Sequence, residues 1–380
     1  MIRSLKEQYV LENSNLAPYA IRNTDRSERK YPEEPHPFRT DFQRDRDRIL
    51  HSRSFRRLEY KSQVFLSGTG DHLRTRLTHT IEVAAIARTI SRTFMLNEDL
   101  TETIALAHDI GHTPFGHPGE SIMNEIMKDE GGFDHNEQSL RTVDILERKY
   151  PDYEGLNLTW EVRAGLVKRR NPEKAKLDGE KLPPQPSLES QVADISDDIT
   201  YYGHDVDDGL DAGMINEKML DNLEIWNIAA DLAAKNGLRK GDKFRAFAVR
   251  CLIDMMVKNV VENSERNLRE MKIRTALESQ KTENRIISFD AKFAKMTSEL
   301  RKFLFENVYY HPDVATVNDI AAEKIKGLFK AYLENPKRMG AYANSRIPKD
   351  GLKRAVADYV IGMTDRFAVI EYKKFCEDKG

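Results

Sequence analysis

Apolar residues recur at helical spacing through most of this 380-residue chain, and this feature most limits the folds open to it. The clearest example is the segment ESQVADISDDITYYGHDVDDG, in which five apolar side chains are spaced three, four, three and four residues apart: Val192, Ile195, Ile199, Tyr202 and Val206. This spacing places them on one face of a helix. Alternating patterns typical of strands are scarce. The sequence therefore predicts an all-α fold.

The same pattern divides the chain into regions. The segment RKYPEEPHPFRTDF contains three prolines within six positions, so residues 1–42 are expected to form a loosely held N-terminal arm. Residues 43–210 contain most of the polar motifs and are predicted to form the core. Residues 211–380 are predicted to form a C-terminal helical region that packs on this core. The charged, proline-rich stretch 168–187 is predicted to be a surface loop between helices.

Composition excludes several classes of protein. The formal net charge is -2, so the charge composition does not require a nucleic acid or an anionic membrane as a partner. Hydrophobic residues make up 39% of the chain, which is usual for a globular protein. The two cysteines, Cys251 and Cys376, cannot build a disulfide framework or a cysteine-rich zinc site. We find no apolar run of the roughly 18 residues that a membrane helix needs, and no signal-peptide core. The chain is therefore expected to be cytoplasmic and to have no membrane partner.

The segment LAHDIGHTPFGHPGE concentrates five titratable side chains within fifteen positions: His108, Asp109, His112, His117 and Glu120. We expect Asn97 to cap the preceding helix and Gly111 to end it. His108 and Asp109 would then project together from the helix end. A neutral imidazole beside a hard carboxylate suits a divalent cation such as Mg, Mn, Fe or Zn. Because two ligands are too few, further ligands are expected from elsewhere.

Two candidates for these further ligands are His79 and Asp197. His79 opens the helical pattern HTIEVAAIARTISRTF, although a single histidine on a packed helix is more often a structural residue than a ligand. Asp197 points almost opposite the apolar stripe of its helix, on a face shared with four other side chains: Asp194, Tyr201, Asp205 and Asp208. That face is either a solvated acidic surface or the lining of a metal and substrate pocket. The residue pattern alone leaves both interpretations open.

The order His79, His108-Asp109, Asp197 resembles that of the HD-domain metal-dependent phosphohydrolases. The closer resemblance is to their deoxynucleoside triphosphate triphosphohydrolases, the dGTPase family. It rests on six segments in that family's order: RDRILHSRSFRRLEYKSQVF, RTRLTHTIEVAAIAR, AHDIGHTPFGHPGE, GFDHNEQSLR, VADISDDITYYGHDVDDG and AVADYVIGMTDRFA. The resemblance implies an HD-domain helical bundle over residues 43–210 with additional C-terminal helices. It also implies hydrolysis of deoxynucleoside triphosphates, with dGTP as the expected substrate, to deoxynucleoside and inorganic tripolyphosphate.

Residue roles follow from the resemblance position by position. The implied metal ligands are His79, His108, Asp109 and Asp197. They would hold Mg²⁺ or Mn²⁺, with Fe, Co, Ni or Zn as alternatives. The implied catalytic residues are His117, its acidic partner Glu120, His112, and His135 of the segment FDHNEQ. The implied substrate contacts are Arg76 on phosphate, Tyr201 and Asp205 on the sugar and its 3′-hydroxyl, and Gln63 on the same hydroxyl.

One position departs from the family pattern. Some relatives have a lysine directly after the metal-binding aspartate, and this chain has Asp198 there. Other basic residues or a second cation must then neutralise the triphosphate tail. The arginines between Arg44 and Arg57 are candidates, although a solvated basic face is the more ordinary interpretation.

Two other functions fit the same motifs. One is an HD phosphohydrolase that acts on nucleoside monophosphates, cyclic nucleotides or guanosine tetraphosphate. The other is a regulatory protein that senses deoxynucleotides or single-stranded nucleic acid with little turnover. The resemblance further implies a homo-oligomer, tetrameric or hexameric, with a second deoxynucleotide as allosteric effector.

Overall fold

The computed structural model describes residues 2–25, 27–63, 74–168, 175–309 and 312–377, and the side chains of 312–318 are excluded from the description. Residues 169–174 of the predicted surface loop lie outside it. Within the described part, the α-helices in chain order are α1 Leu5–Asn15, α2 Asp41–Leu50, α3 Arg53–Arg57, α4 Arg76–Thr93, α5 Glu98–Ala107, α6 Gly116–Ile126, α7 His135–Arg141, α8 Trp160–Leu166, α9 Leu188–Asp211, α10 Glu217–Leu220, α11 Glu224–Lys235, α12 Asp242–Glu270, α13 Ala276–Gln280, α14 Ala291–Leu304, α15 Pro312–Glu334, α16 Ala341–Asp350, α17 Leu352–Ile361 and α18 Asp365–Tyr372. The all-α prediction is confirmed.

Strand structure in the described residues is confined to one short hairpin. Its strands, β1 Lys176–Leu177 and β2 Glu180–Lys181, pair antiparallel. Leu177 and Leu182 of this segment are buried, so the part of the predicted surface loop that the structure describes is packed against the protein. Among the described residues, no helix combines the length and apolarity that crossing a bilayer requires.

Helices α4, α5 and α9 pack on one another and form the framework of the core. The apolar stripe predicted on α9 is buried along its whole length: Val192, Ile195, Ile199, Tyr202 and Val206. Burial of this stripe turns the opposite face of α9 toward the ends of α4 and α5 that carry polar residues. The helix periodicity therefore determines which side chains of α9 can reach the candidate site.

The ends of α4 and α5 differ by a few residues from the predicted ones. Thr75 caps α4 by accepting a hydrogen bond from the Thr78 backbone, so this helix begins three residues before His79. Asn97 caps α5 as predicted, accepting from the Leu100 backbone. However, α5 ends at Ala107, before Gly111. Gly111 permits close contact instead, since a β-carbon there would lie 2.3 Å from the His135 carbonyl oxygen of α7.

The N-terminal segment is held more tightly than its proline content indicates. Ala20 and Ile21 are buried in the main hydrophobic cluster. The Arg29 guanidinium lies 2.5 Å from the fully buried carboxylate of Asp45 on α2. The buried Glu189 carboxylate at the start of α9 accepts hydrogen bonds from the backbone N–H groups of Ile21 and Asn97. The N-terminal segment therefore contributes to the core, although α1 is the one helix among its described residues before Asp41.

Glu189 is expected to make stability depend on pH. Burial raises the pKa of Glu189 to about 7, so the folded state binds this proton more tightly than the unfolded chain does. The contribution of Glu189 to stability should be greatest below its ordinary pKa near 4.5, fall as pH rises toward 7, and level off above it. Glu189→Gln should therefore gain on the order of 2 kcal/mol relative to wild type between pH 5 and pH 8.

Urea unfolding at the two pH values measures this gain. Glu130→Gln is the matched control, because Glu130 is exposed. A difference between Glu189→Gln and wild type that stays constant from pH 5 to pH 8 would contradict the assignment.

Two large hydrophobic clusters organise the chain. The first extends from Ala20 to Val308, so it includes side chains on both sides of the predicted boundary at residue 210. The second joins Phe115, Ile122 and Met123 around α6 to side chains of α15, α17 and α18. The C-terminal helices therefore pack directly on the segment that follows the His-Asp motif.

Candidate functional site

The four predicted metal ligands come together from three places in the fold. His79 lies in the first turn of α4, His108 and Asp109 lie in the turn after α5, and Asp197 lies in the middle of α9. Ligand atoms of His79, His108 and Asp109 all lie within 4.8 Å of one another. Asp197 Oδ1 lies 3.0 Å from His79 Nε2 and 3.5 Å from His108 Nε2. This His/Asp cluster could hold a divalent metal ion.

The chemistry of His108 fits a cation at this cluster. Its Nδ1 donates to the Ala105 carbonyl at 2.6 Å, which leaves Nε2 with a free lone pair. This Nε2 is buried, has no hydrogen-bond partner among the described residues, and lies 3.1 Å from Asp109 Oδ1. Burial has the largest effect on His108 and lowers its pKa, yet the Asp109 and Asp197 carboxylates raise the pKa well above its ordinary value. Positive charge is therefore strongly favoured at this point.

His79 is oriented by a chain of two further side chains. The His204 Nε2 lies 2.5 Å from a Glu82 carboxylate oxygen and must donate to it. Burial, with a contribution from Arg74, lowers the pKa of His204 despite Glu82, so His204 is neutral and its Nδ1 accepts. His79 Nδ1 lies 3.4 Å from that acceptor and donates to it. His79 Nε2 is thereby left as a lone pair directed at the cluster.

Replacing His204 is expected to weaken metal binding. His204→Ala removes the acceptor that selects the tautomer of His79, so the affinity for Mn²⁺ should fall by about 10- to 100-fold. Isothermal titration of the chelator-treated protein with Mn²⁺ measures this affinity. His36→Ala, which changes a histidine of the N-terminal segment, is the control. Unchanged affinity in His204→Ala would contradict the orienting role.

A second polar cluster adjoins the first. His112 Nε2 lies 2.9 Å from Asp109 Oδ1, and His112 Nδ1 is paired with Glu120. The other Glu120 oxygen accepts from His135 Nδ1 at 3.1 Å, and the His112 and His135 rings stack at 4.0 Å. Burial and Arg76 lower the pKa of His112, but Glu120 and Asp109 outweigh them and raise it. His112 is therefore a buried cation between two carboxylates.

His117 and Glu120 do not form the predicted pair. Both oxygens of Glu120 are taken by His112 and His135, and the His117 ring instead meets the edge of Tyr309 with centroids 5.6 Å apart. The His117 side chain is exposed to solvent, yet the protein atoms around it desolvate the ring enough to lower its pKa to about 4, and Glu120 opposes this only through space. A carboxylate paired with an imidazole would raise its pKa, and that effect is not found at His117. His117 is neutral at pH 7.

The polar face of α9 lines the site rather than facing solvent. Asp205 is 1% exposed, and one of its oxygens accepts from the Tyr309 hydroxyl. Its other oxygen, Oδ1, is buried without a hydrogen-bond partner in the described structure. Burial raises the pKa of Asp205 to about 8. The Tyr201 and Tyr309 rings stack with centroids 6.1 Å apart beside it, so a flat apolar surface adjoins an unsatisfied acceptor.

The two remaining predicted substrate contacts, Arg76 and Gln63, lie beside the turn between Asp109 and Gly116. Arg76 is 2% exposed and donates to Asp109 Oδ2 at 3.0 Å, while its Nε has no partner among the described atoms. Gln63 Oε1 is likewise buried without a partner. Gly116, with φ of 60°, follows the same turn, and a β-carbon on it would lie 2.9 Å from the Gln63 carbonyl oxygen. This glycine is therefore needed for the close approach of the two segments.

The arginines proposed from the sequence for a triphosphate tail have other partners. Arg44 and Arg48 pair with Glu33, and Arg46 pairs with Asp99. Arg44 and Arg48 thus lie against the N-terminal segment and Arg46 against α5, so the charge of each is already matched by a carboxylate.

Two other cations lie nearer the cluster. Lys168 pairs with Asp194, and Arg301 is exposed on α14. Asp198 is exposed, yet desolvation by nearby protein atoms, together with Asp197 and Asp194, raises its pKa to about 6, and the charges of both cations oppose this rise.

Sequence reasoning missed Tyr309, His204 and Glu82. Tyr309 follows α14, 104 positions after its partner Asp205. His204 lies within the sequence segment quoted for α9. Glu82 lies three residues after His79, and this spacing on α4 could have suggested that the two side chains share a helix face. No such local signal exists for Tyr309.

Two known domain families match parts of this sequence. The HD domain matches residues 76–202, which include all four predicted metal ligands. The phosphohydrolase-associated domain matches residues 287–374.

Several curated proteins are similar over nearly their whole length, and each is called deoxyguanosinetriphosphate triphosphohydrolase-like protein. That of Geobacter sulfurreducens is 40% identical over 97% of this chain and 96% of its own length. That of Thiobacillus denitrificans is 42% identical over 95% of this chain and 97% of its own length. That of Leptospira interrogans is 41% identical over 94% of this chain and 95% of its own length.

Proposed function

Because this chain belongs to the deoxyguanosinetriphosphate triphosphohydrolase-like family of HD-domain hydrolases, we propose that it converts deoxynucleoside triphosphates, dGTP foremost, to deoxynucleoside and tripolyphosphate. The observation that carries the proposal is the position of the unpartnered Asp205 Oδ1 on the same face of α9 as Asp197, two turns away. A cation-binding cluster and a buried hydroxyl acceptor at this separation suit the phosphate and sugar ends of one nucleotide.

In this proposal His79, His108, Asp109 and Asp197 hold Mg²⁺ or Mn²⁺. When bound, the cation polarises the α-phosphate and lowers the pKa of the attacking water. Water oxygen bonds to the α-phosphorus, the bond from phosphorus to the 5′-oxygen breaks, and the 5′-oxygen takes up a proton. Arg76 keeps Asp109 in place and can fork onto phosphate oxygens with its remaining N–H groups.

His117 is assigned to the attacking water. With a pKa of about 4, its imidazole is neutral at pH 7 and can accept a hydrogen bond or a proton from water. His112, held as a cation between Asp109 and Glu120, adds positive charge beside the phosphates. His135 is assigned the role of holding Glu120 against His112.

The sugar and the triphosphate tail have separate contacts. The 3′-hydroxyl forms a hydrogen bond with Asp205 Oδ1, with Gln63 as a second partner, while Tyr201 and Tyr309 pack on the sugar ring. The tail lies toward Lys168 and Arg301, which take the place of the lysine absent at Asp198.

Product analysis tests the reaction. Purified protein is incubated with dGTP and Mn²⁺, and the products are separated by ion-exchange chromatography. Equal amounts of deoxyguanosine and tripolyphosphate are expected. Orthophosphate or pyrophosphate as the sole inorganic product would refute the proposal and favour another HD phosphohydrolase activity. Binding of dGTP without any product would favour the regulatory alternative.

The role of Asp205 predicts a dependence on the 3′-hydroxyl. Without this hydroxyl, a buried acceptor stays unsatisfied, so 2′,3′-dideoxy-GTP should have kcat/KM about 10- to 100-fold lower than dGTP. Asp205→Ala should remove most of this discrimination. Steady-state kinetics with both substrates measure the ratio. An unchanged ratio in the variant would contradict the contact.

Assembly is a further part of the proposal. The family resemblance supports a tetramer or hexamer, a deoxynucleotide effector and possible contact with single-stranded nucleic acid. Light scattering with and without dNTP tests the oligomeric state and the effect of a deoxynucleotide on it.

A further inference from the structure

The turn between α5 and α6 contains a residue in a rarely occupied conformation. Phe115 has φ of 63° and ψ of 26°, the left-handed region, which a bulky side chain adopts only where surrounding contacts hold it. Its ring is 4% exposed and packs in the second hydrophobic cluster. His112 and His117 lie on either side of Phe115 along the chain. The conformation of Phe115 therefore sets how two of the proposed catalytic side chains are placed relative to each other.

A carboxylate from the C-terminal part of the chain holds this turn. Asp365, at the start of α18, is buried, and its Oδ1 accepts a hydrogen bond from the Phe115 backbone N–H at 2.8 Å. Its Oδ2 accepts from the backbone N–H of Ser62, at 3.0 Å, and from the Ser62 hydroxyl. Ser62 directly precedes Gln63, the proposed second partner of the 3′-hydroxyl. One buried carboxylate therefore connects the segment that carries His117 to the segment that carries Gln63.

The end of α17 reaches the same turn through a buried cation. The Lys61 Nζ donates to the carbonyl of Ile361 at 3.0 Å and to the carbonyl of His112. Because Lys61 is buried, water competes little for these contacts. The C-terminal helices therefore hold the turn at two points, the His112 carbonyl and the Phe115 N–H.

Asp365 lies in a segment to which the sequence assigned no role. The segment AVADYVIGMTDRFA is the one of the six segments of the family resemblance that holds none of the predicted site residues. It lies within residues 287–374, which match the phosphohydrolase-associated domain. Phe115 lies within residues 76–202, which match the HD domain. The hydrogen bond between them therefore joins the two domains beside the proposed catalytic histidines.

Stabilisation of α18 alone would not account for these contacts. A carboxylate in the first turn of a helix favours that helix by its charge. However, α18 has a cap of its own, because the Thr364 hydroxyl accepts from the Phe367 backbone N–H at 3.2 Å. Both oxygens of Asp365 accept from residues outside α18. Loss of the Thr364 hydroxyl should therefore weaken the helix alone, whereas loss of the Asp365 carboxylate should release the turn.

We propose that Asp365 is a positioning residue that holds His117 and Gln63 in place for the proposed hydrolysis. By binding the backbone of Phe115 it fixes the start of α6, and by binding Ser62 it fixes the residue before Gln63. This inference rests on the proposed function, from which His117 and Gln63 take their roles. In the described structure the hydrogen bonds of Asp365 go to Ser62 and Phe115 and to none of the four proposed metal ligands, so its loss should spare the metal.

Hydrogen exchange of the substrate-free protein tests the hold on the turn. Asp365→Ala leaves the Phe115 N–H without its acceptor, so this amide should exchange about 10-fold or more faster in peptides covering residues 112–120. Peptides of α5 should exchange as in wild type. Asp365→Asn, which retains one acceptor oxygen, should give an intermediate rate, and it replaces the alanine variant if that variant does not fold.

Thr364→Ala is the matched control for this measurement. It removes the cap at the same end of α18 and keeps the Asp365 carboxylate, so the Phe115 amide should stay as protected as in wild type.

Kinetics with dGTP test the consequence for the site. Asp365→Ala should lower kcat by about 10- to 100-fold, because a displaced His117 no longer meets the reacting water. The ratio of kcat/KM for dGTP to that for 2′,3′-dideoxy-GTP should fall by about 2- to 10-fold, because Gln63 moves away from the 3′-hydroxyl. Metal content should stay at the wild-type level. A smaller fraction of folded protein would lower kcat but would not change this ratio.

A double variant tests whether Asp365 acts through His117. In the His117→Ala background, Asp365→Ala should lower kcat by no more than about 2-fold, because the side chain that it positions is already gone. A further loss of about 10-fold or more would overturn the proposal.

Three other results would also overturn it. They are unchanged exchange of the Phe115 amide in Asp365→Ala and Asp365→Asn, equal effects of Thr364→Ala, and loss of metal in proportion to the loss of activity. A wild type that releases no tripolyphosphate from dGTP would instead refute the proposed function. The exchange measurement needs no substrate, so it would still decide whether Asp365 holds the turn.

Discussion

Asp197→Ala is expected to lose its bound divalent metal and to hydrolyse dGTP at least about a thousandfold more slowly, equivalent to roughly 4 kcal/mol. The reason is geometric. Asp197 Oδ1 lies 3.0 Å from His79 Nε2 and 3.5 Å from His108 Nε2, so it connects ligands from two other parts of the fold. Without it, two imidazole lone pairs and Asp109 remain, and only one negative charge would balance the ion.

Metal content by mass spectrometry and tripolyphosphate release together measure this effect. Asp211→Ala is the control, because Asp211 is an exposed carboxylate on the last turn of the same helix. It should retain metal and activity. Full metal content with activity within a few-fold of wild type in Asp197→Ala would remove this residue from the ligand set.

His117→Ala is expected to lower kcat by about 10²- to 10⁴-fold while metal content and dGTP affinity stay unchanged. His117 contacts Tyr309 and none of the four proposed metal ligands, so its loss should spare the cluster. Its pKa of about 4 also predicts a pH profile. A group that acts in its neutral form is active above its pKa, so its protonation should reduce kcat/KM of the wild type only as pH falls toward 4.

Single-turnover kinetics, metal analysis and equilibrium dGTP binding check this prediction. His51→Ala, at an exposed histidine, should behave like wild type. Wild-type turnover in His117→Ala would exclude the catalytic role. Loss of metal in this variant would mean that the imidazole supports the fold of the site instead.

Much of the framework could be predicted because helix periodicity is a local property. The spacing of Val192, Ile195 and Ile199 determines the buried face of α9 and therefore the direction of Asp197 and Asp205. The cap at Asn97 was also predictable, because an N-cap depends on a side chain and a backbone N–H three residues apart. The resemblance to a family supplied the grouping of His79, His108, Asp109 and Asp197, which spacing alone left open.

The partners of the proposed catalytic histidines could not be predicted in this way. The family resemblance implies Glu120, three residues after His117, as its acidic partner, yet the tertiary structure brings His112 and His135 to both of its oxygens. His117 is left against Tyr309, and its pKa falls instead of rising.

The sequence by itself therefore determined the helical class of this protein, the face of α9 and the positions of its polar motifs, because each depends on neighbours within one or two turns. The packing of the helices set which side chains Glu120 binds and where Tyr309 meets Asp205. These features depend on the packing of helices far apart in the chain, and the pKa of a buried group depends on every charge that this packing brings near it.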